Sequence, residues 1–137
     1  AENVKIAIAS ADEDAEDISC EIKGRNLAAG LPIRMQITRK ELYPTVMDCV
    51  VEIRDAVHSV IEITPPELAG DIRENGLVMT GGGALLHGLD TYLSKQFNLP
   101  VRIADNPVEC VAIGTGRSFE FIDDLVDGFM TSSAHKH

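Results

Sequence analysis

Apolar and polar positions alternate in two stretches of this chain, Ile18-Ser19-Cys20-Glu21-Ile22-Lys23-Gly24 and Pro32-Ile33-Arg34-Met35-Gln36-Ile37-Thr38. A period of two is the mark of a strand with one covered face. Between them, Asn26 and Gly30 supply turn chemistry, so the pair predicts a β-hairpin with a loop longer than two residues. Residues 1–10 read as the end of a helix entering the fold. After the hairpin the period changes. Leu42, Val46, Cys49, Val50, Ile53, Val57, Val60 and Ile61 form one continuous helical stripe. Thr38 with Glu41 three residues on makes a capping box, and the helix is expected to reach about Ile63. Pro44 falls in its first two turns and marks a possible break, with Tyr43 or Pro44 as the alternative start. Thr64 is the expected N-cap of a further short helix with proline in its first turn. That helix carries Leu68 and Ile72 and ends near Asn75-Gly76.

The second half repeats a different unit. Leu77-Val78-Met79 and Thr80 read as a short strand of a sheet buried on both faces. A helix from about Ala84 to Phe97 follows, with Leu85, Leu86, Leu89 and Leu93 inside. Val101 to Ala104 is the next strand. Asp105-Asn106-Pro107 should cap a helix through Val108, Cys110, Val111 and Ile113, interrupted at Gly114-Thr115-Gly116. A last amphipathic helix is expected from Arg117 to Val126, and a polar, disordered tail from Thr131 to His137. The fold class is α/β: a small α+β hairpin unit, then strand–helix–strand–helix with a parallel sheet. The pattern changes character near residue 38. The small unit is placed at 1–63, the larger at 64–130 and the tail at 131–137.

Composition narrows the function. Apolar residues make up 45% of the chain but aromatics only 4%, without Trp, so small aliphatic side chains must fill the core. A net charge of −10 argues against nucleic acid, which needs a basic stripe. The acidic runs Asp12 to Asp17 and Glu120 to Asp127, including the pair Asp123-Asp124, read as solvated surface. Cys20, Cys49 and Cys110 have neither disulfide-framework nor zinc spacing, which fits a reducing cytoplasm. No apolar stretch is long enough for a membrane span, and no signal peptide opens the chain. The first residue is Ala, so a fragment or a processed chain is expected.

The chemistry concentrates in Thr80-Gly81-Gly82-Gly83-Ala84-Leu85. Three consecutive glycines are costly, each by roughly 0.5–1 kcal/mol relative to Ala in regular structure. The run is not a P-loop, because Leu89 follows Gly88 where the lysine would stand. Gly81 and Gly83 begin a dinucleotide fingerprint, but Leu86 occupies its third glycine position. Asp105 beyond the next strand keeps a dinucleotide-binding domain as the weaker alternative. The histidines His58, His87, His135 and His137 offer no zinc pair at helical spacing outside the tail, and no nucleophile elbow is present. No catalytic or metal-binding residue is assigned. Two readings of the glycines stay open: a surface on which a nucleotide rests, near helix N–H groups without intrahelical partners, or tight packing of helix on sheet without ligand.

Gly76-Leu77-Val78-Met79-Thr80-Gly81-Gly82-Gly83-Ala84-Leu85-Leu86, Thr64-Pro65-Pro66-Glu67-Leu68-Ala69 and the segment from Glu21 through Gly24-Arg25-Asn26-Leu27 to Pro32 resemble the MreB-like bacterial actins. The resemblance runs from Glu2 to about Glu120, in family order. It implies the C-terminal part of domain II of an actin-like (ribonuclease H-like) ATPase fold. It implies ATP or ADP as cofactor, self-assembly into filaments, cell-shape and wall-synthesis proteins as partners, and cytoplasmic, membrane-associated filaments that determine rod shape. By position, Gly81, Gly82, Gly83, Ala84 and Leu85 resemble the adenosine motif. Glu2, Asn3, Val4 and Lys5 resemble the segment closing over adenine and ribose, Glu2 accepting from ribose hydroxyls and Lys5 lying along the base. From the residues alone, Glu2 and Lys5 are an ordinary i, i+3 surface pair. Ala112-Ile113-Gly114-Thr115-Gly116 resembles the second connecting motif, whose glycines serve packing and hinge motion. The family's phosphate-binding hairpins, Mg²⁺ ligands and membrane-attachment segment have no counterpart here, so the chain alone is expected not to hydrolyse ATP. An interaction module using the hairpin, the acidic loop and the long helix is the other reading.

Overall fold

The computed structural model describes residues 2–27 and 30–119. Helix α1 (Glu2–Ile8) leads through a buried link into the acidic loop and then the hairpin. Strands β1 (Ser19–Arg25) and β2 (Pro32–Thr38) pair antiparallel, with Ser19 opposite Thr38 and Arg25 opposite Pro32. The loop closes as read: the Asn26 N–H donates to the Leu31 carbonyl at 2.9 Å and the Gly30 N–H to the Asn26 carbonyl at 2.7 Å.

Helix α2 (Arg39–Ile63) opens on the full capping box. The Glu41 N–H donates to Thr38 Oγ1 at 3.2 Å, and the Thr38 N–H donates to Glu41 Oε2 at 2.8 Å. The acidic loop adds to this cap, because Asp17 Oδ1 accepts from the Lys40 N–H at 3.1 Å. The Arg39 N–H donates to the Ile18 carbonyl. With its first donors satisfied, the helix starts at Arg39 and runs through Pro44 unbroken. Proline there removes one bond, to the carbonyl of the exposed Lys40. Thr38→Ala is expected to cost about 1 kcal/mol of unfolding free energy, measurable by denaturant titration; an unchanged midpoint would show that Asp17 carries the cap alone.

Thr64 acts at the other end of α2. Its hydroxyl donates to the Val60 carbonyl at 2.7 Å and its N–H to the Ile61 carbonyl. It therefore closes α2 and is not the N-cap of α3 (Pro66–Asn75), which Pro65 precedes with extended ψ. The residue before a proline is pushed out of helical geometry, and this fixes the break.

Strands β3 (Leu77–Met79) and β4 (Val101–Ile103) pair parallel, Leu77 with Val101 and Met79 with Ile103. The sheet is covered on one face only among the described residues. Val78 is 47% exposed and its ladder partner Arg102 on the same face is exposed too, which corrects the expectation of burial on both faces. On the covered side, Ala11, Val50, Leu89 and Leu93 form the centre of the core, with Val46, Met47, Met79, Phe97 and Val101 packed around it. His58 of α2 stacks on Phe97, ring centroids 6.4 Å apart, and faces Glu62, so it is a satisfied residue.

The expected helix from Ala84 to Phe97 is two pieces. A 3-10 turn spans Gly82–Leu85, and α4 is Leu89–Phe97. Leu86 is extended and Gly88 left-handed, at φ +77°. Between them, the backbone at His87 forms a parallel bridge with Ser10, and the Ala11 N–H donates to the His87 carbonyl at 2.7 Å. That pairing draws the chain out of helix. Helix α5 (Cys110–Ser118) passes through Gly114 and Gly116 without interruption, and its N-cap is Glu109, not the Asp105 turn. The Thr115 and Ser118 hydroxyls bond carbonyls at Val111 and Thr115 on the helix's own backbone. The remainder of the expected last helix, and the tail 131–137, lie outside the described residues.

Candidate functional site

The glycine turn sits where β3 ends. The Gly81 N–H donates to the Pro107 carbonyl at 2.7 Å, which ties the turn to the loop after β4. Gly81 has φ +79°, a region that side chains rarely adopt. Gly82 and Gly83 have no such need. A Cβ built at Gly81, Gly82 or Gly83 meets no atom within 4 Å. Neighbouring glycines differ sharply. A Cβ at Gly76 would collide with the Pro100 carbonyl, and one at Gly88 would lie 2.8 Å from the Asp12 Cβ. Packing within the described chain thus accounts for Gly76 and Gly88 and leaves Gly82 and Gly83 without an internal reason. Among the described residues they are not packed against a neighbour, as is also true of Gly24, Gly70, Gly114 and Gly116.

The other expected residues are placed as follows. Gly82 and Gly83 are exposed, Leu85 is 58% exposed, and Ala84 turns inward and is buried. The N–H groups of Gly82 and Gly83 donate to no partner among the described residues, whereas the Ala84 N–H donates to the Gly81 carbonyl. These free donors belong to a short 3-10 turn and not to the long helix expected from sequence. Glu2, Asn3 and Lys5 are exposed on α1 and Val4 is half-buried. Lys5 Nζ lies 2.7 Å from Glu2 Oε1. Exposed pairs of this kind contribute roughly 0–1 kcal/mol, so a ligand can separate them at small cost. No hydrogen bond or ion pair joins Glu2–Lys5 to Gly81–Leu85 among the described residues. The link between the two chain regions is the Ser10–His87 bridge, two residues beyond α1 and two beyond the 3-10 turn, which sequence reasoning missed; its partners are 77 residues apart and carry no local pattern.

The acidic loop is more than solvated surface. Besides capping α2 through Asp17, it holds Arg39, whose Nε donates to the Ile8 carbonyl at 2.9 Å and whose guanidinium also reaches the Glu16 carbonyl. A depression lined by Asp12, Glu13, Ala15, Arg39, Lys40 and Tyr43 lies beside it. The glycine turn lines no part of this depression. Burial raises the Tyr43 phenol above its ordinary range near 10, and the charges of Glu13, Asp12 and Asp14 add to the shift, as does Tyr92. A raised pKa in the folded state means that the folded chain holds the proton longer. Stability from this phenol is complete below pH 10 and is lost as pH rises through the raised value. Absorbance titration at alkaline pH should show a high-titrating tyrosine that Tyr43→Phe removes; a titration unaltered beyond the loss of an ordinary phenol would contradict the placement. Among the described residues, no three His, Cys, Asp or Glu side chains group as metal ligands, and no helix is long and apolar enough to cross a membrane.

A family model described as MreB/Mbl protein matches residues 1–127. The cell shape-determining protein Mbl of Bacillus subtilis is 42% identical over 125 residues, covering 91% of this chain and 38% of that protein. The cell shape-determining protein MreB of Escherichia coli is 42% identical over 123 residues, covering 90% and 35%. Among solved structures, MreB5 of Spiroplasma citri bound to AMPPNP superposes with a TM-score of 0.82 at 36% identity, over 93% of this chain and 38% of that one. The ADP-bound form of the same protein gives 0.83 at 36% identity. The chain thus spans little more than a third of the length of these relatives.

Proposed function

The chain belongs to the MreB/Mbl family of cell shape-determining proteins, and from that premise we propose that its glycine turn forms the adenosine-facing wall of an ATP cleft. The observation that carries this reading is the open space over Gly81–Gly83. A flat base and sugar can lie against backbone where a Cβ would stand, and the N–H groups of Gly82 and Gly83 are free to face them. Two solved relatives of the same fold hold AMPPNP and ADP, which supports a nucleotide as the occupant. Glu2 and Lys5 close over the nucleoside from α1, with Glu2 turned from Lys5 to ribose hydroxyls. The phosphates and Mg²⁺ would be held by residues outside this chain, which supplies neither a P-loop nor a metal cluster among its described residues. The smaller unit, 1–63, and the larger, 64–130, then form one side of the cleft.

In this reading the native full-length protein polymerises with ATP into filaments that set cell shape, cytoplasmic and attached to the membrane through a segment other than this chain. Cell-shape and wall-synthesis proteins are its further partners. The test is equilibrium titration of the full-length protein with a fluorescent ATP analogue, alongside pelleting of filaments, for wild type and Gly82→Val. Loss of both in the variant is expected. Retained ATP affinity would remove the turn from the site.

A second reading, an assembly surface, is favoured by a separate observation. Leu27, Leu31 and Met35 of the hairpin are exposed, Leu27 almost wholly. The two readings occupy different surfaces and are compatible. A dinucleotide-binding enzyme is not supported, because the family match accounts for the chain through residue 127.

A further inference from the structure

We infer that Ser10 and His87 form a positioning latch that sets where Glu2–Lys5 stand over the glycine turn, and so governs discrimination at the ribose; this rests on the nucleotide reading above. Residues Ile8, Ala9, Ser10 and Ala11 are four consecutive buried positions in a chain that buries few others among its described residues. Ser10 is 0% exposed. Its hydroxyl accepts from the Asp12 N–H at 3.0 Å and lies 3.0 Å from His87 Nδ1. The carbonyls of Asp12 and His87 stand at 3.3 and 3.4 Å. The Ala11 N–H bonds the His87 carbonyl, and Gly88 lies so close to Asp12 that a side chain there would push the loop away.

The position of this latch matters. His87 is two residues past Leu85, the last residue of the 3-10 turn. Ser10 is five residues past Lys5, and the Ala9 N–H still bonds the Lys5 carbonyl at 2.9 Å. At about 1.5 Å per helical residue, Lys5 stands only ~6 Å along the chain from Ala9. A rigid joint between the two segments therefore transmits its geometry to Glu2 and Lys5. Helix α1 is seven residues long and is otherwise anchored by Arg39 on the Ile8 carbonyl. Arg39 fixes the end of α1, while Ser10–His87 fixes it relative to the glycine turn. Either imidazole tautomer serves. An unprotonated Nδ1 accepts the hydroxyl proton; a protonated Nδ1 donates to Oγ, and the hydroxyl proton turns to a carbonyl.

Ser10 and His87 are positioning residues in this scheme, and the readout is a ratio. A site that bonds a hydroxyl rejects the analogue lacking it, and a site whose acceptor has drifted does not. Affinities of the full-length protein for ATP and 2′-deoxy-ATP are measured for wild type, Ser10→Ala, His87→Leu and His87→Asn. Wild type should prefer ATP by about tenfold. Ser10→Ala and His87→Leu should lose most of that preference, chiefly by weaker ATP binding. His87→Asn, which keeps a polar atom near Nδ1, should restore it. A wild-type preference kept by His87→Leu, or an equal fall for both nucleotides, overturns the latch; His87→Leu decides the matter if Ser10→Ala does not fold. Gly82→Val separates the two failures. If it abolishes ATP binding while the ratio ignores the latch variants, only the latch is wrong. If it leaves ATP binding intact, the nucleotide reading and the latch fall together.

Discussion

Gly82→Val is expected to weaken ATP binding by the full-length protein on the order of 100-fold, about 2.8 kcal/mol, and to leave its thermal midpoint nearly unchanged. The two halves of this expectation come from the same geometry. A Cβ at Gly82 meets nothing within 4 Å, so the fold has no internal objection to a side chain. Gly82 lies outside the positive-φ region as well. At a position with such a backbone, replacing glycine by Ala ordinarily stabilises by about 0.4–1 kcal/mol, because the unfolded chain loses freedom. Gly82→Ala should therefore be neutral or stabilising, with a smaller loss of affinity than Val. The branched side chain of Val would fill the space that the nucleoside needs. A graded loss across Gly, Ala and Val with intact stability marks a ligand wall. Equal affinity for all three would exclude it, and unfolding of the Ala variant would return the turn to a packing role.

Gly76→Ala is expected to do the reverse: to destabilise the fold by about 2–5 kcal/mol without touching the nucleotide surface. Gly76 has φ +74°, which costs a side-chain-bearing residue roughly 1–2 kcal/mol. Its new Cβ would also collide with the Pro100 carbonyl, a backbone atom that cannot rotate away. Forcing such an overlap costs a further ~1–3 kcal/mol. The collision falls where the Leu77 N–H bonds that same carbonyl, at the first pair of the β3–β4 ladder. Denaturant unfolding of the variant measures the loss. A midpoint shift below that of an ordinary surface substitution would mean that α3 and β4 separate easily, and that the parallel pair is not the rigid support assumed for the turn.

The hairpin, the capping box at Thr38 and Glu41, the span of α2 and the end of α3 at Gly76 were all legible along the chain. Each rests on groups a few residues apart, so the pattern is local. The glycine run was legible as a costly feature, and the resemblance carried in its flanks is matched by the family model. Its cause was not legible. The three glycines of the turn look alike in sequence, yet one is needed for its own backbone and two are not. Thr64 illustrates the same limit at short range. Its hydroxyl can cap the helix ahead or close the helix behind, and the proline that follows decides which.

Periodicity and cap chemistry, acting over three or four residues, thus marked most of the helices and strands, while the motifs taken in order carried the family resemblance. They left undecided how the stretch from Ala84 to Phe97 would divide. A run of leucines at helical spacing favours a continuous helix, and it is the pairing of His87 with Ser10 that breaks it at Leu86–Gly88. The same pairing places α1 and the glycine turn on one joint. Contacts between residues 77 positions apart leave no periodic trace, since each partner reads as ordinary in its own neighbourhood. The open space over Gly82 and Gly83 is likewise a property of what stands nearby in space, and only the fold shows that none of the described residues does.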